Sequence, residues 1–123
     1  MESKIPTAVL FLFSMSILFF ITSSIGLAVL YHDLDDRIIT HIDFSGSPDN
    51  WGDKIHLIYG LLVNVGTLLI LFFLIRHPRY ANYPVTLNDE NRDSAYLKMR
   101  YFLSILAVLT SLSFLWMIGI QVY

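Results

Sequence analysis

Four side chains between residues 41 and 53 are of the types that bind metal ions. His41 offers an imidazole, and Asp43, Asp49 and Asp53 offer carboxylates. Such ligands favour Ca²⁺ or Mn²⁺, although the spacing is not that of an EF-hand loop. We favour a structural interpretation, in which Asp43 and Asp49 hold Asx-type turns around Gly46 and Asp53 interacts with the N-terminus of the following helix. No metal or other cofactor is therefore expected.

The remaining polar residues do not form a recognisable catalytic motif. Ser, His and Asp are all present, but His56 and His77 lie near opposite ends of one apolar block, out of reach of the serines inside the other two blocks. The sequence contains no nucleophile elbow, phosphate loop or HExxH motif. It also has no cysteine, which excludes thiolate nucleophiles and Cys-ligated metals. The net charge of -2 does not favour nucleic acid as a partner. We expect a protein that is not an enzyme.

The elements that position these residues follow from the distribution of apolar residues. The chain is 55% hydrophobic and only 15% charged, and its apolar residues collect in blocks at about 8–30, 55–75 and 101–122. About 20 helical residues cross a hydrocarbon core of ~30 Å, and in lipid the backbone must satisfy its own hydrogen bonds. The first block is longer than the h-region of a signal peptide, so we interpret it as a retained anchor. The sequence predicts an all-α integral membrane protein, a single domain (1–123) with three transmembrane helices in a lipid bilayer.

The basic residues predict how the chain is oriented in the membrane. The N-terminal tail and the second loop (76–100) share one side and together hold six basic residues, whereas the first loop (31–54) holds two. Because cytoplasmic loops are enriched in Lys and Arg, the N-terminus and the second loop are predicted to be cytoplasmic. The first loop and the C-terminus are then extracytoplasmic.

Both loops are predicted to contain structure. In the first loop, Ile38, Ile39, Ile42 and Phe44 are too apolar for a free linker, so we expect an ordered loop packed onto the helix ends, with Trp51 as an interfacial anchor. In the second loop, Thr86 or Asn88 can cap a short amphipathic helix that continues into the third span. The cytoplasmic loop is therefore predicted to be partly helical.

Polar and small residues within the spans predict contacts between helices. Gly60, Asn64 and Thr67 lie on one helical face, and Ser16 with Ser23 and Ala107 with Ser111 form similar stripes. Such stripes let helices approach closely and hydrogen-bond across the contact. A conduction path is the alternative, but the three blocks contain no Asp, Glu, Lys or Arg, which ion and proton paths normally need. These faces also leave formation of a homo-oligomer open.

The two loops resemble those of a bacterial membrane domain family of unknown function, which also forms the N-terminal part of SdpI-type immunity proteins. The resemblance extends from about residue 30 to residue 100. In the first loop it rests on the segment from Leu34 to His41, followed by Asp43, Gly46, Asp49, Trp51, Gly52 and Lys54. In the second loop it rests on His77-Pro78, Asn82-Tyr83-Pro84 and Glu90-Asn91. Asp35 and Ile39 stand where the family usually has prolines.

The resemblance implies a protein of the bacterial inner membrane with an exposed, structured outer loop. SdpI-type proteins protect against a secreted killing peptide and relay its presence to a repressor, so an immunity or sensing role is implied. The corresponding hypothesis is that a peptide or protein partner binds the loop at His41, Asp43, Gly46, Asp49 and Trp51. The alternative is a structural or accessory subunit of a larger membrane complex, and a metal-binding or transport-related role comes third.

Overall fold

A computed structural model describes residues 4–122, so the first three residues and the last residue of the predicted domain lie outside the described part of the chain. The chain is mostly helical, and its three long helices are each long and apolar enough to cross a membrane. They are α1 (Thr7–Leu30), α2 (Ile55–Arg76) and α3 (Arg92–Gly119). A β-hairpin of β1 (Arg37–Ile42) and β2 (Pro48–Asp53) connects α1 to α2, and single 3₁₀ turns occupy Tyr31–Asp33, Pro78–Tyr80 and Ile120–Val122.

The helix ends follow from local chemistry. Pro6 precedes α1, and α2 ends two residues before Pro78, which cannot continue a helix. The predicted spans 8–30 and 55–75 agree with α1 and α2 to within one residue. The predicted third span, 101–122, comprises most of one continuous helix that runs from Arg92 to Gly119 and the 3₁₀ turn Ile120–Val122, and the predicted amphipathic segment runs into that helix. The Asn88 side chain accepts hydrogen bonds from the Glu90 and Asn91 amides at 2.8 and 2.9 Å, closing the turn before α3.

The three helices do not pack equally against one another. α3 packs extensively against α1 and also along α2, whereas α1 and α2 make few contacts with each other. One apolar cluster, which includes Val9, Leu71 and Leu103, lies toward the end of the bundle that carries residues 77–91; we call this the basic end. A second cluster lies at the opposite end, which carries the hairpin and residues 120–122; we call this the hairpin end.

Polar side chains are buried between the helices. Ser16 and Ser23 of α1 are fully buried and donate to carbonyls of their own helix, at Phe13 and Phe19. Asn64 is 2% exposed, and the Ser111 hydroxyl of α3 donates to its Oδ1 at 3.3 Å. These hydrogen bonds satisfy buried hydroxyls without water.

Gly60 and Thr67 share the α2 face with Asn64. A Cβ atom added to Gly60 would lie 2.4 Å from Cε2 of Phe114, so only glycine allows the present approach of α2 and α3. Thr67 is half-buried. The close contact between α2 and α3 therefore depends on the absence of a side chain at one position.

The prediction of an all-α chain was wrong in the first loop. β1 and β2 pair antiparallel, with Arg37 opposite Asp53 and Ile39 opposite Trp51. The run Arg37–Ile42 is rich in β-branched residues, which favour strands. β2 has a poor strand sequence, with Pro48, Asn50 and Gly52, so its conformation depends on pairing with β1.

Two contacts join the hairpin to the helices. Ile38 is 4% exposed and packs in the apolar cluster with Leu27, Leu57 and Ile118. At the edge of β1 that faces away from β2, the Ile39 amide donates to Gln121 Oε1 at 3.0 Å, and Gln121 Nε2 donates to the Ile39 carbonyl at 2.8 Å. The Gln121 side chain thus occupies the place of a neighbouring strand at this point of β1.

Candidate partner-binding hairpin

The hairpin turn is built around the carboxylate of Asp43. Its Oδ1 accepts hydrogen bonds from the Ser45 amide (2.9 Å), the Ser45 hydroxyl (2.6 Å) and the Ser47 amide (3.0 Å). Gly46 adopts a φ of 88°, a left-handed conformation that glycine tolerates without strain. The hydrogen bond from the Ser45 side chain is the main cause of a lowered pKa for Asp43, and the bond from the Ser47 amide adds to it. Asp43 therefore forms the Asx-type turn expected from the sequence.

Asp49 does not share this role, because a bulge directs it toward His41. The strand register shifts between His41 and Ile42, so that Asp49 lies between the paired residues Pro48 and Asn50. Its Oδ1 lies 2.5 Å from His41 Nδ1, and the two side chains are 43% and 64% exposed. The prediction that Asp49 holds an Asx turn was therefore wrong, and the residue forms an exposed pair with the imidazole.

The edge of β2 is covered by side chains at Trp51. The Trp51 amide donates to Asn50 Oδ1 at 2.9 Å, and its carbonyl accepts from Arg37 at 3.3 Å. Occupied edge groups discourage the addition of another strand. The Trp51 side chain is 48% exposed and lines a cavity of about 240 Å³ with Arg37, Asp35 and Gln121. This surface offers side chains, rather than backbone, for recognition.

Phe44 was expected to pack onto the helix ends, and the structure contradicts this. Its relative exposure is 113%, the highest among the large apolar side chains of the described residues. The Asp43 turn holds it at the tip of the hairpin, away from the cluster that contains Ile38. Because the turn holds the whole phenylalanine side chain in the open, outside both apolar clusters, Phe44 stands out as a functional candidate. Sequence reasoning missed it because an apolar residue in a loop was assigned to packing.

The base of the hairpin is held by Lys54. Its Nζ donates to the Tyr31 carbonyl at 3.0 Å, lies 4.5 Å from the centroid of the Tyr31 ring, and is 4.0 Å from the Asp36 carboxylate. Asp53 contributes its backbone carbonyl, 2.9 Å from His56 Nδ1, and its side chain forms no hydrogen bond to α2 within residues 4–122. Lys54 therefore joins this end of the hairpin to the 3₁₀ turn that follows α1.

The four candidate metal ligands are not brought together. Asp49 approaches His41, whereas Asp43 is engaged in the turn and Asp53 lies at the far end of β2. Within the described part of the chain, no group of three or more His, Asp or Glu side chains could hold a metal ion. The hairpin therefore presents these carboxylates separately, with Asp43 next to Phe44 in the sequence and Asp53 at the other end of β2.

A buried arginine at the basic end was not anticipated. Arg100 is 2% exposed, and its Nε donates to the Ile75 carbonyl at 2.8 Å. This bond satisfies a carbonyl in the last turn of α2, where a cation also complements the helix dipole. Because α3 is continuous from Arg92, it brings Arg100 beside the last turn of α2. Its role is to join two helices.

Comparison with known proteins gives one match. The model of a domain of unknown function, DUF1648, matches residues 17–65, which include the second half of α1, the whole hairpin and the first half of α2. No curated protein and no solved structure matches the chain. The match includes the first of the two loops that carry the resemblance and ends before the second. It identifies an uncharacterised domain and does not connect the chain to SdpI-type proteins or to bacteria. It covers fewer than half of the residues and assigns no activity.

Proposed function

We propose that this chain is a non-enzymatic, three-span membrane protein that binds a peptide or protein partner through its hairpin. The observation that carries the proposal is the full exposure of Phe44 on a turn fixed by Asp43. Burying such a side chain in a partner would contribute about 1.5–3 kcal/mol. An exposed aromatic residue on a constrained turn is suited to act as an anchor.

The charge of the loop indicates the kind of partner. Residues 31–54 contain six aspartates, no glutamate and only two arginine or lysine residues. Asp35 lines the cavity beside Trp51, and Asp43 directly precedes Phe44 in the sequence. Opposite charge steers association and contributes to specificity. We infer a cationic segment that carries an apolar side chain to contact Phe44.

The proposed location and biological role rest on the distribution of basic residues and on the family resemblance. Six basic residues against two favour an extracytoplasmic hairpin and a cytoplasmic N-terminus. The resemblance to SdpI-type proteins supports a bacterial inner membrane and a role in immunity or sensing, in which the partner would be a secreted peptide. The part of the chain matched by the family model contains the hairpin, which is consistent with this proposal.

A different surface favours the second candidate, an accessory subunit of a larger membrane complex. α1 and α2 make few contacts with each other, and a wholly apolar groove of about 380 Å³ lies between them, lined by phenylalanines 13, 20 and 72 and neighbouring aliphatic residues. A helix from another subunit could fill such a groove by van der Waals packing.

Photo-crosslinking separates the two candidates. A benzophenone amino acid would be placed at position 44 on the hairpin, at position 72 in the groove, and at position 59 as a control. Tyr59 is an aromatic residue of α2 with 54% exposure that lines neither surface. Adducts to a peptide or protein that form from position 44 alone support hairpin binding. A cationic peptide that carries an apolar side chain should compete with their formation. Protein adducts from position 72 alone support the accessory subunit, and lipid adducts from position 44 would refute the proposal.

A further inference from the structure

A groove at the basic end combines an apolar floor with an unpaired cation. Its volume is about 370 Å³, and it lies between residues 83–85 of the second loop and one face of α3. Ala95, Lys98 and Phe102 lie on this face of α3, spaced by three and four residues, and Asn91 precedes the helix in line with them. This groove is distinct from the hairpin and lies at the opposite end of the bundle.

Polarity changes in one direction along the groove. Asn91 and Ser94 lie at the start of α3, and Lys98 lies one turn further along. Met99 and Phe102 follow, and after Arg100 the helix contains no charged residue; Phe102 is 59% exposed. A phospholipid at a membrane interface has the same order, with a polar headgroup above an apolar chain.

Lys98 is the group that selects the charge of the ligand. It is exposed and forms no hydrogen bond or ion pair within residues 4–122. By contrast, Arg92 is paired with Asp89 at 2.9 Å. No carboxylate lines the groove, so Lys98 can pair with an anion from outside the chain. Ser94, four residues earlier on the same face, adds a hydroxyl donor.

The wall opposite α3 is held in place. The Tyr83 ring lies 6.0 Å from the buried Tyr96 ring, and the Tyr83 hydroxyl donates to the Pro78 carbonyl at 2.5 Å. Pro84 follows directly and restricts the backbone of this segment. These contacts restrict the motion of the wall, which lowers the entropic cost of binding a ligand.

We propose that this groove binds an anionic phospholipid. The headgroup phosphate contacts the Lys98 ammonium and the Ser94 hydroxyl, and one acyl chain lies along Met99 and Phe102 toward the bilayer. The proposal depends on the membrane location proposed above but not on partner binding by the hairpin. The predicted cytoplasmic side of the basic end agrees with it, because anionic lipids attract basic juxtamembrane segments.

The test measures lipid binding to purified full-length protein in neutral detergent by native mass spectrometry. The probes are phosphatidylglycerol, phosphatidylcholine of the same chain length, and glycerol phosphate, which has the headgroup without the chains. Phosphatidylglycerol should bind more tightly than the other two probes. Lys98→Gln should weaken phosphatidylglycerol binding by about five-fold, the effect expected for one lysine near an anionic headgroup.

Arg92→Gln is the matched control, because it removes the same charge from the same helix but lies outside the groove. Equal losses in the two variants would show general surface attraction and overturn the proposal. Phosphatidylcholine binding equal to that of phosphatidylglycerol, or glycerol phosphate binding as tightly as the lipid, would also overturn it. A photoactivatable phosphatidylglycerol should label residues 83–102 in the wild type, and labelling confined to other segments would contradict the site independently of any variant.

Discussion

Gly60→Ala is predicted to separate α2 from α3. The added Cβ would lie 2.4 Å from Cε2 of Phe114 and 3.2 Å from both Cδ2 and Cζ. Carbon atoms in contact prefer a separation of about 3.5–4.0 Å, so the ring edge would have to move by more than about 1 Å. Phe114 packs against the apolar cluster at the hairpin end, which limits that movement. Overpacking of this kind costs about 1–3 kcal/mol.

Gly66→Ala is the matched control on the same helix. An added Cβ at Gly66 meets nothing within 4 Å, so this variant should be neutral or gain up to about 1 kcal/mol from helix propensity. The free energy of unfolding would be measured by denaturant titration in mixed micelles, followed by circular dichroism. Phe114→Leu removes the ring, so the double variant Gly60→Ala/Phe114→Leu should be less destabilised than the two single variants predict by addition. If Gly60→Ala were as stable as Gly66→Ala, the described approach of α2 to α3 would be wrong.

Three further predictions concern the polar contacts. Asn64→Leu should change the free energy of unfolding by less than about 1 kcal/mol. The hydrogen bond from Ser111 to Asn64 is long, at 3.3 Å, and Asn64 Nδ2 has no partner within the described residues. A fully stable variant that no longer binds the partner of the hairpin would instead make Asn64 part of a site. Gln121→Ala should speed amide hydrogen exchange at Ile39 and leave α1 unchanged, whereas unaltered exchange at Ile39 would refute the attachment. The pKa of Asp43 is lowered in the folded protein, so its carboxylate stabilises the turn fully at pH values above its ordinary pKa of 3.8. This stabilisation is lost as the pH falls through the pKa of the folded state. Protection of the Ser45 amide should therefore decrease in acid in the wild type but not in Asp43→Asn, and equal acid sensitivity of the two proteins would contradict this.

The sequence was sufficient to predict the helices because each apolar run is long and uninterrupted. A run of this length has few alternatives in lipid, and Pro6 and Pro78 fix two of the boundaries. The placement of Asn64 with Gly60 on one face followed from helical periodicity alone. The partner atoms on α3, Ser111 Oγ and the Phe114 ring, required the packed structure.

The hairpin was missed because its two strands carry unequal signals. β1 has a β-branched run of only a few residues, and β2 contains residues that disfavour strands, so pairing rather than propensity determines its conformation. The bulge that turns Asp49 toward His41 is a property of strand register and not of spacing. The Gln121 contact joins residues 82 positions apart, and no local pattern predicts it.

The central claim is that three spans place the hairpin and the second loop on opposite sides of a membrane. Ser47→Cys and Glu90→Cys test it directly, since the parent sequence has no cysteine and both positions are exposed. Intact cells that express each variant would be treated with a membrane-impermeant thiol reagent, before and after permeabilisation. We predict that Ser47→Cys is labelled in intact cells and that Glu90→Cys is labelled only after permeabilisation. Labelling of Glu90→Cys alone in intact cells would invert the orientation, and equal labelling of both variants in intact cells would contradict the three-span account.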